Sequence, residues 1–219
     1  MDDFTQLNEK THRVFDAHNQ ARDRALLQAR QLTRFCALAI RAIHRSDHEA
    51  ARQNLDEAAR LVADLKTSLA DLPTVYYAGY TQDAIKEFVE ASNTVAIIQN
   101  RPLILPEELG VEYATYLNGL AEVTGELRRR CLDILRQGYS DEAERLLGRM
   151  DDIYELLITI DYPDAITNGL RRQTDLVRGI VERTRGDLTV SLREQRLHAA
   201  MQDLAGRLAS RQDADDPRL

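Results

Sequence analysis

Residues 82–130 contain two helical patterns that each present a pair of glutamates, Asp83-Ala-Ile-Lys86-Glu87-Phe-Val-Glu90-Ala91 and Gly119-Leu-Ala-Glu122-Val-Thr-Gly-Glu126-Leu-Arg128-Arg129-Arg130. Side chains three or four residues apart lie on one face of an α-helix, with Cβ atoms roughly 5–6 Å apart. The intervening segment at 100–106 contains two prolines, so the second helix can return antiparallel to the first. The spacing therefore predicts two facing carboxylate pairs, Glu87 with Glu90 and Glu122 with Glu126.

The four facing carboxylates predict a metal site. Like charges raise one another's pKa unless a cation neutralises them, and a divalent metal ion is the simplest such cation. The set offers oxygen ligands alone, with no Cys or His, and this donor type suits Mg²⁺ or Mn²⁺. We therefore predict that Glu87, Glu90, Glu122 and Glu126 hold Mg²⁺ or Mn²⁺, either directly or through water.

The composition favours an all-α fold. The 219 residues include no Trp, 5 Pro and 10 Gly, whereas Ala, Leu, Arg and Glu are abundant. Apolar residues recur at threes and fours, which predicts about seven helices in a single domain at residues 1–210, with a polar tail at 211–219. The helices are expected at about 3–45, 46–72, 80–99, 106–138, 140–159, 164–184 and 188–210.

Nothing in the sequence predicts a membrane protein or a secreted one. No stretch approaches the ~18 uninterrupted apolar residues that indicate a membrane-spanning helix. The N-terminus, Met1-Asp2-Asp3-Phe4, is acidic and lacks the apolar run of a secretory signal. Because Cys36 and Cys131 are only two and lie far apart, we expect two buried or half-buried thiols in a reducing cytoplasm.

The net charge of −7 is unevenly distributed along the chain. Residues 1–46 and 171–196 each carry a net charge of +3, whereas residues 47–127 carry −9. This pattern suits an acidic, metal-holding centre flanked by arginine-rich helices that bind phosphate. The cations that we expect nearest to a phosphate backbone are Arg34, Lys86 and Arg129. A solvated helix face is the alternative for the arginines of the first helix.

Two glycines lie inside the predicted fourth helix, Gly119 and Gly125. Glycine in a helix interior costs up to ~1 kcal/mol relative to alanine. Its presence beside Glu122 and Glu126 predicts that another helix, or a ligand, approaches the backbone closely there.

Three other patterns give weaker predictions. His44 and His48 have the spacing of a metal-binding pair, but they straddle a capping box that begins at Ser46 and have no Cys or His partners, which argues against zinc. A di-iron bundle needs Glu-x-x-His on two helices, and this chain has Glu at position 90 and Arg at position 129 instead. A third acidic group is expected to be exposed, namely Asp151, Asp152 and Glu155.

Four stretches between about residues 75 and 190 carry a resemblance to a known family: Glu87-Phe-Val-Glu90-Ala91, Glu108-Leu-Gly-Val-Glu112-Tyr-Ala-x-Tyr116-Leu-x-Gly119, Glu122-Val-Thr-Gly-Glu126-Leu-Arg128-Arg129 and Tyr162-Pro-Asp-Ala…Gly169-Leu-Arg-Arg172. In order and spacing they resemble the translin family, whose two branches are translin and translin-associated factor X. The resemblance implies a translin-like helical bundle.

The acidic residues resemble those of the factor X branch, the nuclease subunit of a translin-containing complex that cuts single-stranded RNA. Glu87 and Glu90 match the acidic pair on that branch's third helix, and Glu126 matches the glutamate of its Asp-x-x-x-Glu pair. Glu122 stands where that branch often has Asp, which keeps the charge and lengthens the side chain by a methylene group.

The resemblance implies a Mg²⁺-dependent or Mn²⁺-dependent endoribonuclease that acts on single-stranded RNA, with single-stranded DNA as a second substrate to test. It also implies a closed homo-oligomer of about eight subunits whose acidic sites face inward, which would exclude double-stranded RNA sterically. Divalent ions held by carboxylates can activate water and neutralise phosphate charge, so the residues suit this chemistry. The main alternative is a non-catalytic, translin-like protein that binds single-stranded RNA or DNA.

Overall fold

The chain folds into α-helices in a computed structural model that describes residues 2–214. Its six long helices are α1 (Asp3–His44), α2 (His48–Ser68), α4 (Gly79–Ile98), α6 (Tyr113–Leu135), α7 (Asp141–Ile158) and α9 (Leu170–Ala214). Three single-turn helices lie between them, α3 (Pro73–Tyr76), α5 (Pro106–Leu109) and α8 (Asp164–Thr167). These residues contain no β-strand, which confirms the predicted all-α fold class.

Helix α4 occupies the centre of the bundle. It packs against α1 and α2 on one side and against α6 on the other, and α6 in turn packs against α7 and α9. Every residue from 91 to 97 of α4 is buried, and its side chains contribute to all three hydrophobic clusters of the protein. Glu87 and Glu90 therefore project from the most enclosed helix of the molecule.

The start of α2 differs slightly from the predicted capping box. The side chain of Asp47, rather than that of Ser46, accepts a hydrogen bond from the Ala50 amide at 3.0 Å. Ser46 adopts a left-handed backbone conformation with φ of 60°, which ends α1 and turns the chain into α2.

The predicted helix at 106–138 is interrupted near its start. Pro106 begins the single turn of α5, and Gly110, with φ of 67°, ends it in a left-handed conformation. The Glu108 carboxylate folds back to accept a hydrogen bond from the Leu105 amide at 3.0 Å. The long helix α6 then begins at Tyr113.

Helix α6 runs parallel to α4, so the predicted antiparallel return is wrong. Thr115 donates a hydrogen bond to Gln82 at 2.6 Å, and, further along both helices, Glu122 pairs with Lys86 at 2.7 Å. The helices are parallel because the segment at 99–112 carries the chain back before α6 starts.

The predicted break between the last two helices is absent. Helix α9 runs without interruption from Leu170 to Ala214. Thr184 and Leu188 are buried against the bundle on either side of Gly186, so tertiary packing holds the helix together across the glycine. The helix also passes the predicted start of the tail at residue 211, and the remainder of that tail, residues 215–219, lies outside the described residues.

The two cysteines match the expectation from the sequence. Cys36 and Cys131 are both free and buried, and burial raises the pKa of each thiol. None of the helices at residues 2–214 is long and apolar enough to cross a membrane.

Candidate metal centre

A glycine sets the distance between the two helices that carry the glutamates. A Cβ atom built on Gly119 of α6 would lie 2.7 Å from both the Lys86 carbonyl oxygen and the Val89 Cβ of α4. Only a residue without a side chain allows this separation, which confirms the predicted close approach at Gly119. Gly125 is different, because a Cβ there would meet nothing within 4 Å.

Three of the four predicted glutamates converge at this crossing. Glu87, Glu90 and Glu122 each offer a carboxylate oxygen, and these oxygens all lie within 4.8 Å of one another. All three side chains are half-buried. The i,i+3 spacing on α4 and the proximity of α6 at Gly119 together produce this arrangement.

Glu122 also forms an ion pair with a lysine of α4. Lys86 Nζ lies 2.7 Å from Glu122 Oε1, and the two side chains are 20% and 26% exposed. Lys86 therefore reaches from α4 to α6 and neutralises one carboxylate of the centre. We predicted Lys86 as a contact for a phosphate backbone; the structure places its ammonium group on Glu122.

Glu126 lies beside the three converging glutamates and has its own partners. His44 Nε2, from the last residue of α1, lies 2.6 Å from Glu126 Oε2, and the His44 side chain is only 5% exposed. Arg129 Nη1 lies 3.6 Å from the same oxygen, but its side chain is 53% exposed. The sequence-based search missed His44, because it considered this residue only as a zinc partner of His48. In the structure His48 instead pairs with Gln99 at 2.8 Å.

The charges of the centre are not balanced by the protein. Burial, followed by the negative charges of Glu87, Glu122 and Glu126, raises the pKa of Glu90 to about 8. Burial and the neighbouring Glu122 also raise the pKa of Glu87. In contrast, the hydrogen bond from His44 holds the pKa of Glu126 below its ordinary value.

Comparisons with known proteins bear on this fold and site. No family model matches the chain. An uncharacterized protein of Methanocaldococcus jannaschii is 35% identical over 181 residues, which cover 82% of this chain and 80% of that protein. AfC3PO of Archaeoglobus, a C3PO protein of the translin type, is 33% identical with a TM-score of 0.77, over 84% of this chain and 95% of that one. The chain belongs to the translin family.

Two further structures extend this comparison within the translin family. AfC3PO in complex with duplex RNA is likewise 33% identical, with a TM-score of 0.76 and the same coverage of both chains. NeC3PO of Nematostella in its apo form is 20% identical with a TM-score of 0.76, over 87% of this chain and 98% of that one, and shares the fold. The comparisons do not distinguish between the two branches of the translin family.

The other predicted residues lie at the edge of this translin-family site or away from it. Arg34 is exposed on α1, and Arg129 is exposed on α6 beside Glu126. Asp152 and Glu155 are exposed on α7, as expected, whereas Asp151 is half-buried and forms an ion pair with Arg185 of α9.

The donor set of the centre fits a hard divalent cation. The candidate ligands that converge between α4 and α6 in the described part of the chain are carboxylate oxygens, and Mg²⁺ and Mn²⁺ prefer oxygen ligands. Burial and the nearby Glu87, Glu122 and Glu126 raise the pKa of Glu90 to about 8, and a further positive charge beside it would favour its ionised form. A bound cation would supply that charge, with Glu87, Glu90 and Glu122 as the nearest ligands.

Proposed function

We propose that this protein is a metal-dependent endoribonuclease of the factor X type, which hydrolyses phosphodiester bonds of single-stranded RNA at a four-glutamate site for Mg²⁺ or Mn²⁺. The observation that carries the proposal is the convergence of Glu87, Glu90 and Glu122 within 4.8 Å, in surroundings that raise the pKa of Glu90 to about 8. A protein that only binds nucleic acid has no need of such a cluster, because like charges repel the phosphate backbone.

We assign each residue of the centre a separate role in hydrolysis. Glu87, Glu90 and Glu122 would hold the cation directly, and Glu126 would hold it directly or through water. When bound, the cation supplies an activated water and neutralises charge on the phosphate. Lys86 orients the Glu122 carboxylate, since its ammonium group lies 2.7 Å from the carboxylate oxygen. Arg129, which is exposed beside Glu126, would contact the backbone of a bound strand.

RNA is the proposed substrate because of the family and the charge pattern. AfC3PO, a member of the family at 33% identity, was solved in complex with duplex RNA. In this chain, residues 1–46 and 171–196 each carry a net charge of +3, on helices that flank the acidic centre. Duplex RNA therefore belongs in every assay beside single-stranded RNA and single-stranded DNA.

Self-association into a closed homo-oligomer of about eight subunits is part of the proposal. Large apolar side chains are exposed at both ends of the bundle, on the first turns of α1 and the last turns of α9, where a monomer would leave them in water. They are Phe4, Leu7, Val14, Phe15, Leu197, Met201, Leu204 and Leu208. An enclosed site would favour short or flexible strands over long, stable duplexes; an active monomer would contradict this part of the proposal.

The first experiment is the cleavage of labelled single-stranded RNA in Mg²⁺, in Mn²⁺ and in EDTA. We expect cleavage that requires the metal and that Glu90→Ala abolishes. The matched control is Glu155→Ala, which removes an exposed glutamate from α7 and should leave cleavage unchanged. A wild-type protein that binds the RNA in Mg²⁺ but leaves it intact would overturn the nuclease proposal.

The second candidate is a non-catalytic, translin-like protein that binds single-stranded RNA or DNA. Two observations favour it: Lys86 already neutralises Glu122, and His44 already pairs with Glu126. The centre would then be an acidic patch that the protein itself partly neutralises. In that case Glu90→Ala should leave RNA affinity unchanged or raise it, because the substitution removes a charge that repels phosphate.

A further inference from the structure

His44 is a buried titratable side chain to which the sequence assigns no task. It is the last residue of α1, and its side chain crosses to α6, where Nε2 lies 2.6 Å from Glu126 Oε2. The His44 side chain is 5% exposed and that of Glu126 is 23% exposed, so the contact is largely screened from water. A short, largely buried hydrogen bond of this kind restricts the His44 ring and the Glu126 carboxylate to few orientations.

The direction of the bond follows from the chemistry of its partners. Nε2 and Oε2 are 2.6 Å apart, and an imidazole nitrogen can carry an N–H, whereas a carboxylate oxygen accepts hydrogen bonds. His44 Nε2 therefore carries the hydrogen and donates a hydrogen bond to Glu126 Oε2. The other ring nitrogen, Nδ1, is buried and has no hydrogen-bond partner in the described protein, so the bond to Glu126 is the polar contact that fixes the ring.

The end of α1 is itself attached to α6. Arg130 Nη1 donates to the His44 carbonyl oxygen at 3.4 Å. The same residue thus contacts α6 twice, through its backbone and through its ring. Arg129 also approaches Glu126, but at 3.6 Å and with a side chain that is 53% exposed, it cannot fix the carboxylate as His44 does.

We propose that His44 is a positioning residue that orients the Glu126 carboxylate toward the metal centre. This inference rests on the proposed function, since it assigns the residue that supports the fourth glutamate of that site. Histidine commonly acts in metal sites as a ligand; here it donates a hydrogen bond to Glu126, the glutamate beside the three that converge. Groups that orient metal ligands in this way typically affect metal affinity or activity about 10–100-fold.

The test measures Mn²⁺ affinity of the full chain without RNA, by the loss of the free-ion signal in electron paramagnetic resonance. We expect His44→Ala to weaken Mn²⁺ binding about 10-fold or more, because Glu126 is then free to turn away. His44→Gln should recover a large part of the affinity, since its amide can donate to Glu126 from a similar position. A residue needed only for packing would not be rescued by an amide donor.

His48→Ala is the matched control. His48 is also a histidine, four residues further along, but it is exposed and pairs with Gln99, away from the centre. We expect the His48→Ala variant to bind Mn²⁺ with the same affinity as the wild type. In RNA cleavage, His44→Ala should lower kcat and leave KM nearly unchanged, because Glu126 helps to hold the cation and does not bind the strand.

The outcomes separate this inference from the proposed function. Wild-type affinity in His44→Ala, together with a large loss in Glu90→Ala, would overturn the role of His44 and leave the metal site standing. An equal loss in His44→Ala and His44→Gln would also overturn it, since a donor would then make no difference. A wild-type protein that binds no Mn²⁺ would overturn the proposed function and the inference with it.

Discussion

Glu90 and Glu126 face one acidic centre from two different helices, and the protein treats their charges in opposite ways. Burial among Glu87, Glu122 and Glu126 raises the pKa of Glu90 to about 8, whereas the hydrogen bond from His44 lowers the pKa of Glu126. Both side chains are half-buried, so the difference comes from their neighbours rather than from exposure alone. The carboxylates of this cluster therefore differ: Glu126 is paired with a basic side chain of the protein, whereas Glu90 is surrounded by other carboxylates.

The largest expected effect is on metal binding by variants of these two residues. Glu90→Ala removes a carboxylate that forms no ion pair within residues 2–214. We expect it to weaken Mn²⁺ binding more than ~100-fold, a larger loss than that of a group which only orients a ligand. Glu126→Ala should weaken it by about 10-fold or more, at least as much as His44→Ala and less than Glu90→Ala. Isothermal titration of each variant with Mn²⁺ measures both losses. Equal losses would mean that the contrast in pKa has no bearing on the metal.

The second effect concerns the spacing between α4 and α6, which sets the position of Glu90 relative to Glu122. Glu126 is paired with α1 instead. Gly119→Ala places a Cβ 2.7 Å from the Lys86 carbonyl oxygen, and overpacking of this kind costs about 1–3 kcal/mol. We expect a lower free energy of unfolding in urea and weaker Mn²⁺ binding. Gly125→Ala is the control on the same helix, since its Cβ meets nothing within 4 Å and should stabilise α6 by up to ~1 kcal/mol.

The third effect is the pH dependence of stability in EDTA. The pKa of Glu90 rises from 4.5 to about 8 on folding, so between these values the folded chain holds a proton that the unfolded chain releases. The free energy of unfolding should therefore fall as the pH rises through this window. Glu90→Gln should flatten the slope and raise the melting temperature at pH 8. Glu126→Gln should lower the melting temperature at neutral pH, because it removes the ionised partner of His44.

The smallest expected effect tests whether the α1 side of the centre, where Glu126 is held, also faces the strand. Arg34 lies ten residues before His44 on α1, which is about 15 Å along the helix. If it contacts one phosphate, Arg34→Ala should weaken RNA binding a few-fold and reduce the slope of log K against log salt by about 1. Arg60→Ala, on the exposed face of α2 where Arg60 pairs with Glu57, serves as the control.

Several features of the site were predictable because the sequence signals for them lie within single helices. The i,i+3 spacing of Glu87 and Glu90 is a signal within α4, and Gly119 is a signal within α6. They predicted the close contact of the two helices, but not that the helices run parallel. The all-α fold was predictable for the same reason, since apolar periodicity is a local signal. The role of each glutamate within the centre stays a prediction until a metal is titrated.

The remaining features depend on contacts between distant parts of the chain. His44 and Glu126 are separated by 82 positions, so no spacing in the sequence indicates their bond. Helix α9 passes through Gly186 because Thr184 and Leu188 are buried on either side of it, and that burial belongs to the assembled bundle. The sequence predicted Lys86 as a contact for a phosphate backbone, whereas the rotation of α4 directs it to Glu122.

The two cysteines have a practical consequence for spectroscopy. The chain has only Cys36 and Cys131, and both are buried, unpaired and protonated at neutral pH because burial raises their pKa. The folded protein therefore offers no native thiolate to a maleimide dye. A cysteine introduced at Gly125, which is exposed and lies between Glu122 and Glu126, would be the single reactive thiol. A fluorophore attached there would report the arrival of a cation or a strand without prior removal of the native cysteines.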